Sequence, residues 1–148
     1  MEVKDLFDPA VKQDILNRVN KLTPESKNQW GKMNASQMLA HCCVPLGVAE
    51  GKNKLKRSFM GFVFGRMARP MLYNEKPFKR GLPTDGSFIV KDPRDFNTEK
   101  QNLVGRINDF REDTLVGEKH PFFGKLTKEQ WSKGMYKHLD HHLQQFGV

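Results

Sequence analysis

Only two cysteines occur in 148 residues, and they are neighbours, Cys42 and Cys43. Successive residues of a helix point about 100° apart and make poor disulfide partners, so a disulfide framework is excluded, as is a CxxC site. That usage fits a reducing compartment, and a cytoplasmic location is expected. No apolar run approaches a bilayer span; the longest extends from Phe59 to Gly65, against about 20 residues for a spanning helix. The opening "MEVKDLFDPA" has no apolar signal core. Strand-like alternation, internal repeats and low-complexity tracts are missing as well, which argues against β-rich and solenoid folds. There is no HExxH, so the glutamate base of a zinc-protease helix is absent. No recognised nucleic-acid-binding motif appears.

What is present suits one domain over residues 1–148, built around one core. Charge is distributed unevenly. The segment from Lys52 to Arg80 holds nine of the 25 basic residues but only one of the 17 acids, Glu75, so the rest of the chain is neutral. Attraction to anions therefore belongs to this segment.

Helix signals are clear in four places. Asp8 reads as an N-cap with Pro9 at the first helical position, where its missing N–H costs nothing, and Val11, Ile15, Val19 and Leu22 follow at helical spacing. Asn34, with Gln37 three residues on, opens a second helix that ends near Gly51. Pro45 lies inside it and cannot donate to the carbonyl of His41, so a bend or widening is expected where His41 projects. A third helix starts at Asp95 or Thr98 and carries Leu103, Ile107 and Phe110 on one stripe. Thr127, again with a Gln three residues later, caps a last helix that runs to the C-terminus. Residues 52–94 are the least regular. "LKRSFMGFVFGRMARPML" has no clean polar face, and "NEKPFKRGLPTDGSF" is rich in Pro and Gly. The economical architecture is all-α: a four-helix bundle with a long irregular connection between its second and third helices.

"KHLDHHLQQF" puts three histidines within five residues of the last helix. With Trp131 at zero and about 100° per residue, His142 falls near about 20° and His138 near about 340°, beside the apolar stripe of Met135, Leu139 and Leu143. His141 falls near about 280°, towards the polar side. On the second helix His41 lies at the edge of the stripe made by Met38, Cys42, Leu46 and Ala49. Imidazoles at i and i+4 can converge on one ion about 2 Å from each nitrogen, with a third supplied by a neighbouring helix. A lone core histidine is the commoner use of such a position. His41, His138 and His142 together balance the two readings.

The stretches "GKMNASQMLAHC", "HPFFGKLTKEQW" and "HLDHHLQQFG", in that order and spacing, resemble the DinB-like (DinB/YfiT-like) metalloprotein superfamily, in an uncharacterised domain branch. The resemblance runs from Trp30 to Gly147 and is densest in the last 30 residues. It implies a four-helix bundle with a long second connection. It also implies a metal site of one histidine from the second helix and an HxxxH pair from the fourth, which map onto His41, His138 and His142. Characterised relatives are metal-dependent transferases that act with low-molecular-weight thiols, or related isomerases; others are described as metal-dependent hydrolases by analogy.

The expected function is therefore that of a divalent-metal-dependent enzyme, first a thiol-dependent transferase and second a hydrolase, acting on a small molecule. Zinc suits three imidazoles best, with nickel or iron as alternatives. A low-molecular-weight thiol is the implied co-substrate, and the basic segment would attract it if anionic. A rival class is a non-catalytic protein that uses residues 52–80, where Phe59, Phe62, Phe64 and Phe78 interleave with the cations, on nucleic acid or an anionic membrane. Homodimerisation is a further open reading. No general base stands out: Asp109, Glu112 and Asp113 read as a solvated helix end. His120 in "HPFFG" is a lesser candidate for the pocket wall, Trp30 and Trp131 read as packing residues, and Cys42 as a small buried apolar side chain.

Overall fold

A computed structural model describes residues 1–117 and 119–148 of the chain. Among these the regular structure is all-helical: α1 (Pro9–Lys21), α2 (Ala35–Ala49), α3 (Phe59–Ala68), α4 (Pro70–Tyr73), α5 (Phe96–Asp109) and α6 (Lys128–Gln145). Two short 3-10 turns, Gly86–Phe88 and Glu112–Thr114, complete it. The four longest helices fall where their start signals lie. Asp8 caps α1 through the Ala10 N–H, with Pro9 leading the helix. Asn34 and Gln37 form a reciprocal capping box on α2, as do Thr127 and Gln130 on α6. Each such cap satisfies helix-end donors that would otherwise lack partners and is worth about 1 kcal/mol.

The helices close on one apolar cluster. α1 contributes Ile15 and Val19, α2 contributes Met38, Leu39 and Leu46, α5 contributes Leu103 and Ile107, and α6 contributes Trp131, Met135, Leu139 and Leu143. α2 packs chiefly on α5 and also on α6, while α1 touches both α5 and α6. Partly buried ion pairs tie the helices at their edges. Arg18 of α1 reaches Asp140 of α6 at 2.8 Å, and Arg106 of α5 reaches Glu50, just past α2, at 3.1 Å.

α2 continues through Pro45 to Ala49, and its end is followed by Gly51 at φ 70°. The long connection is more ordered than its composition suggests, since it supplies α3 and α4. α4 is set against α6, and the Gly86–Phe88 turn against α2. Beyond α5, residues 120–124 form a tight loop in which the His120 and Gly124 backbones exchange two hydrogen bonds of 2.9 Å. Among the described residues, no helix is long and apolar enough to cross a membrane.

Candidate metal centre

His41 projects from the middle of α2, and His138 and His142 project from successive turns of α6. The three rings form a nearly equilateral triangle. Their centroids lie 4.9 Å apart for His41 and His138, 4.7 Å for His41 and His142, and 4.7 Å for His138 and His142. One nitrogen from each ring lies within 4.8 Å of the others, so these three side chains can hold a metal ion. His41 and His142 are buried and His138 is partly buried.

Hydrogen bonds select which nitrogen faces inward. His41 Nδ1 lies 2.7 Å from the Phe88 carbonyl oxygen. A carbonyl can only accept, so Nδ1 carries the proton and Nε2 keeps its lone pair. His142 Nδ1 lies 2.8 Å from Gln145 Oε1. That amide is itself oriented, because Gln145 Nε2 donates to the Trp30 carbonyl at 2.6 Å. His142 is therefore also held with a bare Nε2. A histidine whose outer nitrogen donates to a fixed oxygen is the usual arrangement of a metal ligand, since the bond fixes the ring and its tautomer.

The third ring is less constrained. His138 Nε2 faces His41 Nε2 at 3.0 Å, and its own Nδ1 is buried without a partner among the described residues. Two imidazole nitrogens approach this closely only with a proton or a cation between them. Nitrogens about 2.0–2.1 Å from a shared ion, at angles from right to tetrahedral, stand about 2.8–3.4 Å apart. The observed separation of 3.0 Å lies within that range. The donor set thus fits a metal ion.

Burial keeps the set neutral. Loss of solvation lowers the pKa of His41, drives that of His138 well below the ordinary value with help from the neighbouring imidazoles, and brings His142 to about 3. All three imidazoles are neutral at about pH 7, the form in which histidine ligates a metal.

Other residues singled out from the sequence fall outside the cluster. His141 is not in it, but neither does it simply face solvent. Its ring packs at 5.7 Å against both Trp30 and Phe78 and at 5.2 Å from the His142 ring. His141, Trp30 and Phe78, with Arg80, Lys137 and Asp140, line a cavity of about 240 Å³ whose wall includes none of the three clustered histidines. The helical phase is correct for His141, but residues 77–80 of the long connection cover that side of α6. A larger cleft of about 350 Å³, lined by Cys43, Lys52, Arg106 and Asp109, contains none of the histidines.

His120 is buried between Phe88, Phe123 and Trp131, and its Nδ1 accepts from the Phe122 and Phe123 N–H groups. It organises its own loop and does not join the triad. Trp131 is core, whereas Trp30 lines the smaller cavity. Burial pushes the Cys42 thiol well up and Cys43 to about 12, so neither is a thiolate at neutral pH. Asp109, Glu112 and Asp113 are exposed. Two supporting groups escaped the sequence reading. Gln145, three residues after His142, was accessible from helical spacing. Phe88 acts through its backbone carbonyl, for which no side-chain signal exists.

The family described as "Protein of unknown function (DUF1569)" matches residues 5–147, and the chain belongs to it. No curated protein and no solved structure matches the chain.

Proposed function

We propose that this DUF1569 chain is a divalent-metal-dependent enzyme whose metal is held by His41, His138 and His142, and that it acts as a low-molecular-weight-thiol-dependent transferase. The reading rests on one observation: three neutral imidazoles converge, two with their outer nitrogens tied to fixed oxygens. Such a set leaves a divalent ion with its full charge and open positions, able to polarise an oxygen or hold a thiol as thiolate.

The fold supports the same assignment. The four long helices α1, α2, α5 and α6 enclose one core, with the long connection between α2 and α5. We read this as one domain of the DinB-like four-helix-bundle type, with the metal ligands on its second and fourth long helices. The chain's own residues do the positioning. Phe88 and Gln145 orient two ligands, and α6 sets the third one turn away. The adjoining cavity offers recognition: Arg80 stacks over the Trp30 ring at 4.1 Å and makes no ion pair among the described residues. Its guanidinium is available to the carboxylate of an anionic thiol or substrate.

Protein freed of metal with a chelator and titrated with zinc or nickel should bind one equivalent, and loaded protein should join thiols to small electrophiles. Turnover without added thiol would favour a hydrolase at the same site. Failure of the parent protein to bind either metal would overturn the proposal.

A further inference from the structure

α3 inverts the usual arrangement of a surface helix. Its buried positions are Gly61 and Gly65, and its large apolar side chains face outward. Phe59 is 79% exposed, Met67 76% and Phe62 73%, with Met60, Val63 and Phe64 also exposed. The glycines explain the seating. A Cβ on Gly61 would stand 2.6 Å from Phe122 Cα, and one on Gly65 would overlap the Phe122 carbonyl. Ser58 caps the helix through the Gly61 N–H and donates its own N–H to the Pro121 carbonyl at 3.1 Å. Backbone thus lies on backbone, and the side chains that would normally hold a helix to a core are left facing water. Soluble proteins rarely expose so continuous an apolar face unless something covers it.

The charges around this face identify the cover. Lys54, Lys56, Arg57 and Arg66 are exposed on and just before α3 and make no ion pair among the described residues. The Arg57 guanidinium sits 5.7 Å from the centre of the Phe62 ring, and Arg66 lies between Phe59 and Phe62 around the helix. A second copy meeting this face about a two-fold axis would oppose these cations to themselves. A nucleic acid would satisfy the cations but leave six apolar side chains against phosphate and sugar. An anionic lipid surface satisfies both, because aromatic and aliphatic side chains enter the acyl boundary while the guanidinium and ammonium groups remain among the headgroups.

We propose that α3, with the basic residues beside it, docks this protein on an anionic membrane surface. The helix lies in the interface plane rather than spanning it, and the attachment is reversible. The surface does not depend on the histidine triad. A link nevertheless exists between them: α3 rests on the 121–123 backbone, His120 of that loop stacks on Phe88, and the Phe88 carbonyl orients His41.

The test is flotation of the full-length protein with vesicles of phosphatidylcholine alone and of phosphatidylcholine mixed with phosphatidylserine. Binding is expected to the mixed vesicles and to fall as salt rises. The double variant Phe59→Ser, Phe62→Ser should weaken it by at least about tenfold for each ring removed, with the melting temperature unchanged because neither ring touches the core. Lys54→Gln with Lys56→Gln should reduce binding to mixed vesicles and remove its salt dependence in part. No binding to mixed vesicles overturns the proposal. So does a concentration-dependent dimer that the double serine variant dissolves, or duplex binding that the variant leaves intact while vesicles are ignored.

Discussion

Replacing Gln145 with alanine removes a group that is not itself one of the three clustered imidazoles, yet it should weaken metal binding. In the parent protein Gln145 Oε1 accepts from His142 Nδ1 at 2.8 Å while its Nε2 donates to the Trp30 carbonyl at 2.6 Å. The first bond makes Nε2 the free nitrogen of His142; the second keeps the amide from turning over and offering its donor instead. Without them the ring can rotate and exchange tautomers, and each binding event must restore the single productive state. Loss of such an outer partner costs about 10–100-fold in metal affinity, or about 1.4–2.7 kcal/mol. Competition for zinc against a chromogenic chelator measures this directly. His142→Ala should lose far more, since a ligand disappears, and His141→Ala should lie close to the parent, since that ring belongs to the neighbouring cavity. A Gln145→Ala protein that binds zinc as tightly as the parent, while His142→Ala does not, would refute the view that this hydrogen bond sets the ligand.

Further expectations can be checked with purified protein. Zinc at about a hundredfold excess over Kd should stabilise the fold by about 2.7 kcal/mol, which raises the melting temperature by several degrees; His138→Ala and His142→Ala should abolish the rise and His141→Ala should keep it. His120 has its pKa lowered to about 4 by burial. The unfolded chain therefore takes up this proton from about pH 6.5 downward and the folded chain does not, so stability is full above about pH 6.5 and falls by up to about 3 kcal/mol towards pH 4. His120→Asn, which can still accept from the loop amides, should flatten that part of the pH–stability curve measured by urea unfolding. Arg106→Ala removes a partner from Glu50, a buried carboxylate whose Oε1 already lacks one among the described residues. The cost should be about 2 kcal/mol, softened by the remaining Lys52 contact at 2.9 Å; a change within error in chemical denaturation would show that Lys52 alone carries the pair.

Much of this protein was readable from local signals. Asp8, Asn34, Asp95 and Thr127 each start a helix because a short polar side chain satisfies helix-end donors within three residues, an interaction that needs no tertiary partner. The phases of α2 and α6 likewise follow from apolar spacing, and the three histidines chosen on phase come together in space. The long connection was different. Apolar periodicity reports which side of a helix meets the core, but α3 is held by glycines and turns its apolar residues outward, so the pattern there carried no usable phase. The same limit hid the cavity wall over His141 and the Phe88 carbonyl that orients His41. Spacing along one helix determines which side chains leave it together. Which backbone oxygen or distant loop meets them depends on how the connection folds back, and only the tertiary packing of residues 52–94 on α2 and α6 decided that.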